Sequence, residues 1–161
     1  MKSIRNSLSG LLLLLAFLVP LCAHAGDRGR MSLGLAAGYA SYNDGGYLTV
    51  NYQYSFADHF RIAPDLGYVF RNEGKSAFIL DVDMHFPFRV AKGFALYPLA
   101  GLTLNNWDYK YDGHATRFGG NIGAGMELNI TNYFKISLQG KYSFMKDTGG
   151  AFVGLGLHYC F

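Results

Sequence analysis

The sequence predicts an all-β protein: a closed antiparallel barrel of eight transmembrane strands, preceded by a cleaved signal peptide. Three observations carry this reading. Beyond residue 25 no run of 18 apolar residues occurs, and the apolar side chains recur with period two, the signature of strands, rather than 3.6. The alternating segments number eight, and an even count suits a closed antiparallel barrel. The face opposite the apolar one carries glycine and small polar residues where a sheet facing water would carry lysine and glutamate. Composition agrees: 16% of residues are charged, against about 25% in a typical soluble domain. Glycine reaches 21 of 161 residues, yet 4 prolines and the lack of any low-complexity run exclude collagen and linker sequence.

Residues 1–25 read as the signal peptide and 26–161 as the barrel domain. Lys2 and Arg5 precede the apolar stretch Leu11 to Val19, and Ala23-His24-Ala25 obeys the small-x-small rule, which places cleavage between Ala25 and Gly26. The apolar stretch is shorter than the roughly 20 residues of a spanning helix. Cys22 does not make a lipoprotein signal, because Pro20 and Leu21 stand where small residues are required. Without Lys2 and Arg5, 12 basic residues face 11 acidic ones, a net charge of +1 that offers no surface for nucleic acid. Cys160 is then the only cysteine, so no internal disulfide stabilises the exported chain.

The first strand, about 31–40, sets Gly34 and Gly38 on its small face. The second, Tyr47 to Phe56, is the clearest: Leu48, Val50, Tyr52, Tyr54 and Phe56 on one side, Thr49, Asn51, Gln53 and Ser55 on the other. The third, about 60–70, alternates Phe60-Arg61-Ile62 and carries Gly67. The fourth, about 76–88, places Asp81, Asp83 and His85 on one face; the fifth, about 94–105, opens Phe94-Ala95-Leu96 and carries Gly101. In the sixth, about 116–128, Gly119, Gly123 and Gly125 share the small face. The seventh, Tyr133 to Met145, opposes Phe134, Ile136, Leu138, Tyr142 and Phe144 to Lys135, Ser137, Gln139, Lys141 and Ser143. The eighth, 151–161, alternates Val153, Leu155, Leu157, Tyr159 and Phe161, and turns Cys160 inward. The second and seventh have about the 9–11 residues that a tilted membrane strand needs.

Connections alternate in character. Ala57-Asp58-His59, Arg89 to Gly93 and Asn129 to Asn132 are compact turns, each followed by an aromatic (Phe60, Phe94, Phe134) that suits an interfacial girdle. Ser41 to Gly46, Arg71 to Lys75, Asn105 to Ala115 and Lys146 to Gly150 are richer in Gly, Asn and Asp and read as the outer loops, with Trp107 as an outer-interface anchor or a loop tip. Alternation alone fits a soluble ligand-binding barrel as well as a membrane barrel. The small face decides between them, because an eight-stranded barrel is only just wide enough for side chains to fill, and only closure satisfies strand backbones in lipid.

The alternation ending at Phe161 resembles the last strand of the outer-membrane β-barrel proteins of diderm bacteria. The segments Phe60-Arg61-Ile62-Ala63-Pro64-Asp65-Leu66-Gly67-Tyr68 and Leu96-Tyr97-Pro98-Leu99-Ala100-Gly101-Leu102 resemble the small porin-like members of that family, and the resemblance covers 26–161. It implies an outer-membrane location, outer-membrane lipid as surroundings, and recognition of Tyr159 and Phe161 by the barrel-assembly machinery. It does not imply an activity. Pro64 and Pro98 interrupt the strand pattern and predict local bulges.

Chemistry beyond this is sparse. Lipid-modifying members of such barrels need a serine- or histidine-centred constellation, but His59, His85, His114 and His158 are followed two residues on by Arg61, Pro87, Thr116 and Cys160, so no catalytic residue and no enzyme is expected. Asp81, Asp83 and His85 stand about 7 Å apart per step, too far for one metal ion without a neighbouring strand. Asp108 and Asp112 lack a calcium-loop motif. No metal or cofactor is expected. The inward charges balance at four basic (Arg61, Arg117, Lys135, Lys141) and four acidic (Asp65, Asp81, Asp83, Glu127). Hairpin register sets Glu127 opposite Lys135 and Arg61 opposite His85, with Asp83 on a diagonal. The sequence thus predicts a lumen closed by ion pairs, in a structural or surface-interaction barrel. A narrow pore for small solutes or ions is the alternative, and a lipid-modifying enzyme the third reading. It names no extracellular ligand and no oligomeric state.

Overall fold

Nine strands in sequence order account for most of residues 28–161, the part of the chain that the computed structural model describes. They are β1 (Met31–Ala40), β2 (Gly45–Ala57), β3 (Phe60–Asn72), β4 (Lys75–His85), β5 (Phe88–Ala91), β6 (Phe94–Tyr109), β7 (Gly113–Asn129), β8 (Phe134–Met145) and β9 (Gly150–Cys160). The signal peptide and the Ala25–Gly26 cleavage site lie outside the described residues. Sequence neighbours pair antiparallel except β4 and β5, which both pair with β6, and β1 pairs with β9 through partners such as Leu33↔Tyr159, so the sheet closes. Closure leaves no barrel edge from which to unravel.

The barrel wall has eight staves, because β4 and β5 are two parts of one. Pro87 causes the break: it has no N–H for the ladder, and its carbonyl instead accepts from His59 Nδ1 at 3.2 Å. Phe86 N still donates to Pro98 O at 3.0 Å, and the register is the same on both sides of the break (Met84↔Ala100, Phe88↔Leu96). The bulges expected at Pro64 and Pro98 are not there. Pro64 pairs in register with Val82, and Pro98 with Ala124; only the β2–β3 ladder lapses beside Pro64, between Asn51↔Asp65 and Tyr54↔Ile62. A missing donor costs one rung and does not require an inserted residue. The irregularity of the β2–β3 pair falls instead at Ser55/Ala57, beside the turn.

Side chains sort as the alternation requires. Leu35, Leu66, Leu102, Leu138 and Leu155 point outward and are exposed, while Ser32, Asn51, Asp65, Asn121 and Ser137 point inward and are buried. Such an apolar exterior is untenable in water over this area and is what a bilayer solvates. Aromatics gather at both rims. At the end where Met31 meets Phe161, the terminal end, Phe60 lies between Phe56 and Phe86, and Tyr159 contacts Tyr133, Phe134 and Phe161; Phe94, expected in this row, is half-buried. At the other end, the loop end, Tyr68 meets Phe70 and Tyr142 meets Phe144. The outer connections are shorter than expected. Glu73 and Gly74 both have positive φ (48° and 77°), the geometry of a two-residue hairpin turn. The loop expected at Asn105 to Ala115 is paired strand (Asn105↔Arg117, Trp107↔Ala115) closed by residues 110–112.

The face assignment predicts opposite outcomes at adjacent positions. Leu138→Arg, on the lipid wall between Met126 and Leu155, is expected to cost about 2–4 kcal/mol if it lies near the bilayer midplane. Gln139→Arg puts its charge into the polar lumen and costs mainly by crowding Tyr97. Urea titration of refolded protein, read by the folded and unfolded gel bands, checks this; equal tolerance of both changes would void the inside-out assignment.

Candidate functional site

The lumen is the site with organised polar chemistry, and it is built in layers. Near the terminal end, β2, β3, β7 and β8 contribute Gln53, Arg61, Glu127 and Lys135. Arg61 Nη1 and Nη2 donate to the two carboxylate oxygens of Glu127 at 2.7 and 2.8 Å, a fork-to-fork pair across the lumen. Lys135 Nζ lies 3.1 Å from Glu127 Oε2 and donates to Gln53 Oε1 at 2.7 Å, which also accepts from Arg61 Nη1 at 3.0 Å. All three ionic side chains are at most 7% exposed. One carboxylate therefore serves two buried cations.

The middle layer reverses that ratio. Lys141 Nζ lies 2.6 Å from Asp81, 2.8 Å from Asp83 and 3.5 Å from Asp65. Register assembles the group: Asn51↔Asp65 and Asp65↔Asp81 make one row across β2, β3 and β4. Asn51 Nδ2 donates to Asp65 at 2.5 Å, Asn121 Nδ2 to Asp83 at 2.9 Å, and Ser143 Oγ to Asn121 at 2.6 Å. Glycine makes the room: a Cβ at Gly101 would strike Asp83, and one at Gly125 would enter the Tyr97 ring.

At the loop end the filling becomes apolar. Trp107, fully buried, packs with Tyr47, Val69, Ala77, Ile79 and Phe152, and Tyr42 meets its ring edge-on at 4.7 Å. Asn43 Nδ2 reaches Phe70 O (2.9 Å) and Lys75 O (3.2 Å), drawing residues 41–44 over this cluster. Arg71 pairs with Asp108 on the exposed rim.

Several expected placements change. Glu127 stands opposite Ser137, and Lys135 opposite Asn129, so Glu127 and Lys135 meet on a diagonal. The connection before β8 is residues 130–133, one residue further along the chain than the expected 129–132, and the register shifts with it. Arg61 does face His85, but His85 stacks on Tyr97 at 4.7 Å and neither of its nitrogens has a partner among the described residues. Asp83 lies on the expected diagonal from Arg61 and is held by Lys141. Arg117 lies toward the loop end opposite Asn105, apart from both ionic layers, with its Nε unpartnered. Trp107 is neither an interfacial anchor nor a loop tip, because the strand continues and its odd position turns it inward. Asn51, Gln53 and Asn121 join the network unforeseen; their inward parity was the available signal. Cys160 points inward and is buried. Tyr159 and Phe161 lie at the β1–β9 seam, where Met31 and Phe161 exchange backbone hydrogen bonds of 3.3 and 3.0 Å.

A closed sheet with an apolar exterior and a packed polar interior defines a transmembrane β-barrel. Residues 9–161 match the family described as outer membrane protein beta-barrel domain, and the chain belongs to that family. It is an outer-membrane protein. Among solved structures, it is similar to the N-terminal β-barrel domain of Pseudomonas aeruginosa OprF, with a TM-score of 0.73 at 19% identity over 83% of this chain and 98% of that one. Neisserial surface protein A gives 0.68 at 15% identity, over 81% and 96%. Ail, the attachment invasion locus protein of Yersinia pestis, gives 0.58 at 19%, over 83% and 99%. At these identities the likeness shows the fold. No curated protein sequence matches the chain.

Proposed function

We propose that the protein is a non-enzymatic outer-membrane barrel with a filled, non-conducting lumen, which serves a structural or surface-interaction role through its loop end. The observation that carries this is the sequence of occluding layers: the Arg61–Glu127 fork spans the lumen, and the Trp107 cluster fills it again nearer the loops. The cavity between them is water-sized, about 30 Å³, and another of about 20 Å³ lies at the terminal end beside the fork. Ail, similar in fold, has been solved with the heparin analogue sucrose octasulfate, which supports surface interaction as a use of such a scaffold. Among the described residues the Ser–His contact in the lumen lacks the third member of a triad: Ser137 Oγ lies 2.8 Å from His158 Nε2, but His158 Nδ1 has no hydrogen-bond partner there. The apolar wall supports outer-membrane lipid as its surroundings, and membership of the family supports recognition of Tyr159 and Phe161 by the assembly machinery during insertion.

Conductance separates this reading from the narrow pore. Purified, refolded protein in a planar bilayer is expected to give no steady current. Reproducible open-channel steps would overturn the closed lumen and establish the pore.

A further inference from the structure

The barrel wall does not end at one height. On one side β7 pairs with β6 as far as Tyr109↔Gly113, but on the other its ladder to β8 stops at Gly119↔Met145, where the chain leaves β8 for the turn at 146–149. Residues 113–118 of β7 are therefore paired on one side only. The raised part of the wall is the sheet β3–β4–β6–β7, joined at its top by Lys75↔Tyr109 and by Lys110 N, which donates to Gly74 O at 3.0 Å. Its outward side chains turn from apolar to polar along this stretch, Leu104↔Phe118 giving way to Asn106↔Thr116 and Asp108↔His114, so the β6–β7 hairpin leaves the apolar belt and stands in the aqueous phase.

The two edges of this raised sheet differ. At β3 the neighbouring loop closes over the edge: Asn72 Nδ2 donates to Asn43 O at 3.0 Å and to Asp44 O at 2.8 Å, and Asn43 Nδ2 donates to Phe70 O at 2.9 Å. At β7 no described residue bonds the backbone of 113–118 from the β8 side. Alternate residues of an antiparallel strand turn their N–H and C=O to opposite sides, so about half of this stretch offers unpaired donors and acceptors, a template for a further strand. The inner face of the same edge carries a charge. Arg117 points inward opposite Asn105, its Nε has no partner, and it makes no ion pair with any described residue.

We infer that residues 113–118 of β7 form a docking edge for an extended strand of an extracellular partner protein, which adds to the sheet beyond β7 and sets an acidic side chain opposite Arg117. The inference rests on the surface-interaction role proposed above and gives it a partner. Backbone pairing supplies the attachment, and Arg117 supplies the selection, because side chains directly opposite each other share one face of a sheet. An inward charge at an edge opposes strands that bring it no counter-charge, so Arg117 admits acidic segments and turns away apolar ones. A second copy of the chain does not suit the edge. Two barrels upright in one membrane and related by a two-fold along its normal would present their β7 edges in parallel, with Arg117 facing Arg117.

The test is strand addition. The full chain is refolded in detergent and titrated with a short, acetylated, fluorescent peptide of alternating Val and Glu, with binding read by anisotropy and the site by amide hydrogen exchange. The expected results are saturable binding, slowed exchange within 113–118, and no binding of the fully N-methylated peptide, which keeps its charge but cannot donate to the edge. Arg117→Gln should weaken binding about tenfold, a change of about 1.4 kcal/mol, while Glu73→Gln at the β3–β4 turn leaves it unchanged. Arg117→Glu should reverse the selection in favour of the matching Val/Lys peptide. If an Arg117 variant fails to fold, the N-methylated peptide on wild-type protein still decides. Binding that survives N-methylation, or that leaves exchange at 113–118 unchanged, would overturn strand addition and leave surface interaction at the loop end standing. Absence of binding would overturn the docking edge alone, since the closed lumen is read by current. Dimers that protect 113–118 without peptide would overturn it in favour of a second copy.

Discussion

Glu127→Gln is expected to destabilise the folded barrel by about 3–5 kcal/mol, the range for removing one partner from a buried ion pair. The change is nearly isosteric, so packing hardly alters and the loss is electrostatic. It strands two cations, because Arg61 holds both Glu127 oxygens and Lys135 holds one. The new amide offers one acceptor oxygen and no charge, and Gln53 Oε1 already accepts from both cations. Adding Lys135→Met removes one of the two stranded charges, so the double variant should be more stable than Glu127→Gln alone. The recovery should be partial, since Arg61 still lacks the carboxylate that its fork grips in the wild type. Adding Arg61→Met should recover more. Urea unfolding of the refolded single, double and triple variants measures these couplings. If the losses simply add, the three residues do not act as one network and the terminal-end layer is packing without electrostatic coupling.

The expectation behind that experiment was already in the sequence, but with the wrong geometry. Parity alone made Arg61, Glu127, Lys135 and Lys141 inward, because a strand in which Leu138 faces lipid must turn Gln139 and Lys141 to the lumen. Which inward residues meet depends on stagger between strands and on reach across the barrel, and no alternation records either. Hairpin counting therefore found the diagonal neighbour of Glu127 and missed Arg61 three staves away. It likewise set Asp83 on a diagonal from Arg61, where it lies, but did not show that Lys141 from β8 holds it. The pairing of Asp65 with Asp81 was legible, because the register that sets Arg61 opposite His85 also sets those two opposite each other; that the Lys141 ammonium from β8 joins both of them to Asp83 was not. Local composition misled at residues 105–115. Asn105, Asn106, Asp108, Asp112 and Gly113 read as a loop, since such residues are depleted in strands, yet ladder pairing of β6 with β7 extends through them to Tyr109↔Gly113. Tertiary register overrode propensity there, and Trp107 was misplaced with it.

Trp107→Ala is expected to cost about 3–5 kcal/mol, the range for removing a large aromatic from a packed core, and yet to leave the barrel non-conducting. The first half follows from position. Trp107 is 0% exposed and is the largest side chain of the loop-end cluster, where Tyr42 packs edge-on against it and Lys75 lies 4.7 Å over the Tyr42 ring. Alanine leaves a hole that the paired walls of β4 and β6 cannot collapse to fill. Trp107→Phe should lose much less, because it keeps most ring contacts and discards an indole N–H that has no partner in the cluster. The second half follows from layering. Opening the loop-end cluster still leaves Lys141 bridged to three aspartates and the Arg61–Glu127 fork across the lumen below it, so an ion entering from the loop end meets two further closures. Urea titration and planar-bilayer recording on the same refolded variants test both halves together. Stable current steps from Trp107→Ala would make the aromatic cluster the sole gate and leave the charged layers as water-filled path, whereas a destabilised but silent variant divides the work as the structure does: aromatic packing for stability at the mouth, buried ion pairs for closure beneath it.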